Sequence, residues 1–181
     1  MSYLRSLPTD AELLHVFKAF PALVKPLLEL HEQLMRGPSP FTAAERELIA
    51  AYVSGLNECA YCYGTHSAAA EAFGVPAGLI AKAITDLDSA PLPERMKPVL
   101  RYLSKLTRTP AKMLPSDAEA IFDAGWDDGA LYDAVLVCAL FNFMNRMVDG
   151  LGIQTKPGYP AIAGKRLREI GYAGLATLLE R

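Results

Sequence analysis

The sequence predicts an all-α fold. Apolar residues recur at helical spacing through most of the 181 residues, no run alternates apolar and polar residues for long enough to make a strand, and capping patterns precede several apolar stretches. Thr9 and Asp10 can cap a first helix that carries Leu13, Leu14, Phe17 and Phe20 and closes at Pro21. A second helix runs to about Arg36, and Pro26 inside it implies either a late start or a kink. Gly37 to Pro40 reads as a turn. Thr42 and Glu45 then form a capping box that opens a third helix through Leu48, Ile49, Ala51, Tyr52 and Val53. The chain turns at Gly55-Leu-Asn57, and a fourth helix runs from near Cys59 to a glycine cap at Phe73-Gly74.

Pro76 opens a short helix through Ile84, and a loop spans Asp86 to Pro93. Glu94 to Leu106 places Met96, Val99, Leu100, Leu103 and Leu106 on one side of an amphipathic helix. Pro110 and Pro115 bracket a connection, Ser116 to Glu119 repeats the capping box, and Asp127-Asp128 caps a long helix to about Leu151. The tail from Gly152 to Gly164 is rich in turn residues, and a last amphipathic helix follows. No low-complexity segment or linker interrupts the series, so residues 1–181 are expected to form a single domain.

Hydrophobic residues make up 51% and charged residues 21% of the chain, which excludes disorder and points to buried contacts between subunits. With 18 Lys and Arg against 20 Asp and Glu, the net charge is −2. No broad cationic surface is available for phosphates, and no nucleic acid partner is expected. The longest uncharged stretches, Cys59 to Ala70 and Ala134 to Asn145, fall short of the roughly 18 apolar residues of a membrane span. No membrane partner is expected, and the N-terminus lacks an apolar run of signal-peptide length, which points to the cytoplasm.

Three cysteines, at positions 59, 62 and 138, are too few for a disulfide scaffold. Their spacing is more informative. In Cys59-Ala-Tyr-Cys62-Tyr-Gly-Thr-His66, two thiols and an imidazole lie within about 60° of one another on one helix face. A helix N-terminus favours a thiolate, and on this argument Cys59 is the more acidic thiol. The turn near Asn57 makes an antiparallel hairpin, in which Glu47, about ten residues before the turn, and His66, about nine after, fall at one level. A carboxylate beside an imidazole fixes its tautomer and strengthens it as a base for a nearby thiol. Cys62, Cys59, His66 and Glu47 are therefore the candidate catalytic residues.

This pattern, together with Gly37-Pro-Ser-Pro-Phe-Thr-Ala-Ala-Glu-Arg-Glu-Leu-Ile49, Ser54-Gly-Leu-Asn57 and Tyr61-Cys62, resembles the AhpD-like alkyl hydroperoxidases of the carboxymuconolactone decarboxylase superfamily. It is closer still to their uncharacterised peroxidase-related branch. The resemblance covers Gly37 to Gly74 and, more loosely, the helix with Phe141-Asn142 and Asn145-Arg146. It implies an AhpD-like helical bundle with a CxxC-bearing αα-hairpin, assembled as a homo-oligomer. It also implies a peroxiredoxin-type oxidoreductase without haem or metal, acting on organic hydroperoxides. In that scheme Cys62 is the peroxidatic thiolate, Cys59 the resolving thiol, and His66 and Glu47 move the protons. Tyr61 stands where the best-known AhpD pattern has a second histidine, which shortens the relay and leaves the reductant, a thiol or a lipoyl group, open.

Other readings accompany this one. The dithiol can serve a redox sensor without turnover, or Cys59, Cys62, His66 and Glu47 can supply ligands to a metal. Tyr61, Asn142, Asn145 and Arg146 are candidate pocket residues. Cys138 reads as a core side chain, His15 and His31 as surface or satisfied positions, and Glu45 and Glu58 as residues that stabilise helix starts.

Overall fold

The computed structural model describes residues 2–179, and among these no strand is found. The helices are α1 (Leu13–Ala19), α2 (Val24–Arg36), α3 (Ala43–Leu56), α4 (Ala60–Ala72), α5 (Leu79–Thr85), α6 (Met96–Arg108), α7 (Pro115–Asp123), α8 (Asp128–Gly150), α9 (Tyr159–Ile170) and α10 (Ala173–Leu179). The all-α class is therefore as expected. At the start of α3 the Thr42 hydroxyl accepts the Glu45 N–H at 3.2 Å, and the Glu45 carboxylate accepts the Thr42 N–H at 2.8 Å. Asp127 caps α8 by accepting the Ala130 N–H at 2.9 Å.

The late start expected for α2 holds, since it begins at Val24 and Pro26 falls in its first turn, where a missing N–H has no partner to lose and no kink is needed. Several other local expectations are corrected. Glu12, rather than Thr9 or Asp10, stands at the N-cap of α1, and its N–H donates to His15 Nδ1 at 3.0 Å. Pro115 takes the first position of α7 and Asp117 accepts the Leu114 N–H at 2.7 Å, in place of a Ser116 to Glu119 box. The tail holds two helices, not one. Gly158 (φ 80°) and Gly171 (φ 63°) adopt left-handed backbone before α9 and before α10, where another residue would be strained.

Helix α3 runs through the centre. Ile49, Ala50, Ala51 and Val53 are fully buried, and the small side chains let α4, α6 and α8 pack closely around it. Helix α8 has 23 residues and an 18-residue window of mean hydropathy 1.3, so by length and composition it is long enough to cross a membrane. Counting uncharged stretches missed this because Asp133 and Arg146 bound the apolar run. Its Val137, Cys138, Phe141 and Val148 are buried in the core.

Helix α9 lies parallel to α4. Gly64 faces Pro160, Gly164 faces Ala68, and the Arg168 Nε–H reaches the Ala72 carbonyl at 3.2 Å. A Cβ at Gly164 would sit 2.6 Å from both Ala68 Cβ and Ala69 N. Gly164→Ala is therefore expected to lower stability by about 1–3 kcal/mol, as overpacking of rigid backbone does, measured as a shift in urea midpoint at unchanged slope. Elsewhere on the surface, Phe20 (53% exposed), Leu23 (75%) and Phe143 (52%) form an exposed apolar strip beside Leu27 and Met147.

Candidate active site

The α3–α4 hairpin is closed within three residues. Asn57 caps α3, Glu58 takes a left-handed φ of 58°, and Cys59 caps α4 with its N–H on the Ser54 carbonyl at 3.0 Å. Glu58 thus makes the reversal itself, a role its type did not reveal. The hairpin brings Glu47 and His66 together, with His66 Nδ1 and Glu47 Oε2 2.7 Å apart.

Glu47 is fully buried and gathers three donors. Besides His66, Arg36 Nη2 donates to Oε1 at 2.6 Å and the Tyr172 hydroxyl donates to the same oxygen at 3.0 Å. Burial alone would raise the Glu47 carboxyl, but His66 and Arg36 outweigh it and hold the group below the usual carboxylate range. An ionised carboxylate requires a proton on His66 Nδ1, which leaves Nε2 as the ring nitrogen open to other partners. Burial and the neighbouring Glu47 charge push the Tyr172 hydroxyl well up, so it remains a donor.

The dithiol lies one turn along α4. Cys59 is fully buried and Cys62 is 4% exposed. The Cys59 thiol hydrogen-bonded to it and burial push the Cys62 thiol up, while Asn145 acts in the opposite sense. Asn145 is held for this by Ser54, whose Oγ accepts its Nδ2–H at 3.0 Å, and by Asn57, which donates to its Oδ1 at 2.8 Å.

Cys62 and His66 open on one cavity of about 90 Å³, walled by apolar side chains including Phe141, Met144 and Leu167. Tyr61 is also in its wall and shares a 2.6 Å hydrogen bond with the Tyr159 hydroxyl of α9. Burial pushes the Tyr61 hydroxyl far up, so it keeps its proton and is no substitute base for a histidine. Asn142, Asn145 and Arg146 do not line this cavity. Asn142 accepts from Asn57 at 3.2 Å and from Arg146 at 2.8 Å, which ties α8 to the hairpin turn. Cys138 is buried beside Asn142 and Thr107.

The sequence reading missed Arg36 and Tyr172, and it left out His31, which is buried in the cavity wall. His31 Nδ1 donates to the Leu27 carbonyl at 2.7 Å, and burial lowers its pKa to about 4. Its folded pKa lies below the unfolded value of about 6.5, so its contribution to stability is full above pH 6.5 and is lost as pH falls toward 4. Wild type is expected to lose on the order of 3 kcal/mol across that window relative to His31→Gln, read from urea midpoints at each pH. Among the described residues no group of three or more His, Cys, Asp and Glu side chains is placed to hold a metal ion.

Residues 21–104 match the carboxymuconolactone decarboxylase family. Among curated proteins none is significantly similar in sequence to this chain. Among solved structures, an uncharacterized peroxidase-related protein from Silicibacter sp. TM1040 is 27% identical with a TM-score of 0.76, covering 82% of this chain and 78% of its own. An uncharacterized peroxidase-related protein with an alkylhydroperoxidase AhpD core, from Ralstonia eutropha JMP134, is 23% identical with a TM-score of 0.75, covering 83% and 78%. A protein of unknown function from Agrobacterium tumefaciens is 19% identical with a TM-score of 0.68, covering 78% and 95%. The helical bundle is thus AhpD-like, and over the matched segment, which spans the α3–α4 hairpin, the chain is similar to the carboxymuconolactone decarboxylase family.

Proposed function

We propose that the protein is a thiol peroxidase that reduces organic hydroperoxides through a Cys59–Cys62 disulfide cycle. The observation that carries this reading is the shared cavity: Cys62 and His66 open on the same small apolar space, with His66 oriented by an ionised Glu47. The peroxidase-related Silicibacter protein, 27% identical, supports it. A thiol raised by burial and by Cys59 is a weak nucleophile until a base takes its proton, and His66 Nε2 is the base on hand.

The Cys62 sulfur attacks the terminal oxygen of the hydroperoxide and the O–O bond breaks. Cys62 keeps that oxygen as a sulfenic acid, and the alkoxide leaves as the alcohol with the proton that His66 took from the thiol. The Cys59 thiol then displaces the sulfenic oxygen as water and forms the disulfide. An external dithiol or dihydrolipoyl group returns two electrons and two protons. Contact between copies in a homo-oligomer would fall on the exposed strip of Phe20, Leu23 and Phe143.

Intact-mass measurement of reduced protein after one equivalent of cumene hydroperoxide tests the cycle. Loss of two hydrogens in wild type, and gain of one oxygen on Cys62 in Cys59→Ser, are the expected results. A protein left reduced by peroxide would overturn the proposal. Oxidation that no dithiol reverses would favour a redox sensor instead.

A further inference from the structure

The cavity is apolar except at a few atoms left unsatisfied within the protein. Thr65 lines it from α4, and its hydroxyl oxygen is buried with no hydrogen-bond partner among the described residues. An unmade bond of that kind is unfavourable, and a bound polar group can offset it. Arg166 lines the cavity from α9, is half-buried, and makes neither hydrogen bond nor ion pair among the described residues. Its charge acts on the hydroxyl of Tyr159, which stands against Tyr61 in the same wall. Nearby Lys156 is already engaged, by Asp10 at 3.0 Å and Glu12 at 3.4 Å. Among the described residues Arg166 is therefore an unpaired cation in the part-exposed stretch of the cavity wall.

Size decides how a ligand would reach it. At about 90 Å³ the cavity is well below the roughly 300–1,000 Å³ of pockets that enclose a whole ligand, so it holds only part of a larger hydroperoxide. The remainder of any larger molecule leaves through the part-exposed stretch of the wall, formed by Leu13, Tyr159, Arg166 and Leu175.

We propose that the preferred substrates are hydroperoxides bearing a carboxylate, bound with the peroxide group inside the cavity near Thr65 and the carboxylate on Arg166. This rests on the thiol-peroxidase reading and adds a substrate class to it. A guanidinium pairs with a carboxylate in a forked, charge-assisted geometry, and a half-buried one is only partly screened by solvent. The contact lies away from the O–O bond, so it strengthens binding of substrate and transition state alike.

The test compares a short carboxyl-bearing alkyl hydroperoxide with its methyl ester, in wild type, Arg166→Gln and Arg166→Lys, alongside calorimetric binding of hexanoate and methyl hexanoate. Wild type is expected to favour the acid about tenfold in kcat/KM. Arg166→Gln should lose that preference, its kcat/KM for the acid falling to about that for the ester through a raised KM, and Arg166→Lys should retain part of it. Equal use of acid and ester by wild type, or an unchanged preference in Arg166→Gln, overturns the proposal. If neither hydroperoxide is consumed, it is the peroxidase reading that fails. Hexanoate then decides alone: binding weakened by Arg166→Gln upholds the carboxylate site, and indifference to that substitution removes it.

Discussion

Cys62→Ser is expected to lower hydroperoxide turnover by at least about 10³-fold, the scale on which enzymes lose rate when their nucleophile is removed. Serine fills nearly the same space, but its hydroxyl neither attacks a peroxide oxygen nor holds the product oxidation state. The side chain is 4% exposed and flanked by groups that accept a hydroxyl, so the fold should survive with little change in melting temperature. Cys59→Ser should behave differently. It retains the first step, consumes one equivalent of hydroperoxide, and stops at the sulfenic acid, because no resolving thiol is left. Stopped-flow peroxide consumption separates the two variants, as a missing burst in one and a single-turnover burst in the other. Wild-type turnover in Cys62→Ser would remove this residue from the chemistry.

The second large effect is on stability. Glu47→Leu is expected to cost about 3–5 kcal/mol, because it strands the Arg36 guanidinium, whose side chain is only 14% exposed, and removes the acceptor of His66 and Tyr172. Leucine matches the carboxylate in volume, so lost packing contributes little. Stranded charge predicts a further result: Arg36→Met in the Glu47→Leu background should recover part of the loss, a sign that simple additivity would not give. Glu47→Gln keeps an acceptor for Arg36 and Tyr172 but holds the His66 tautomer less firmly. It should fold better than Glu47→Leu while still turning over more slowly than wild type. Urea midpoints for the single and double variants check the first claim, and kcat for Glu47→Gln the second.

Much of the hairpin was legible in the sequence because its geometry is local. The capping box at Thr42 and Glu45 sets the start of α3, the short turn sets the antiparallel return, and helical rise then places Glu47 opposite His66. Arg36 and Tyr172 were not legible. Arg36 closes a different helix, and Tyr172 arrives from 125 residues further on, so only packing of the whole chain brings them to Glu47. The polar residues of α8 show the same boundary. Asn142, Asn145 and Arg146 stood out as polar residues on an apolar helix, yet only the packed structure separates Asn145, which bears on Cys62, from the two that brace the turn. In the tail, Pro160 and the glycines read as breakers, but Pro160 lies in the first turn of α9, where proline is tolerated.

The thiols and the His66–Glu47 pair all come from one continuous stretch, Glu47 to His66, whereas most of the cavity wall is supplied by α1, α2, α8, α9 and the segment after it. Reactivity and selectivity are therefore written on different parts of the gene. Substitutions at Leu13, Ala163 or Leu167 recut the cavity without displacing a reacting group. A lineage can drift in what its cavity admits while its hairpin stays fixed, and a recombination point between α4 and α9 would exchange much of the cavity wall while leaving the dithiol behind.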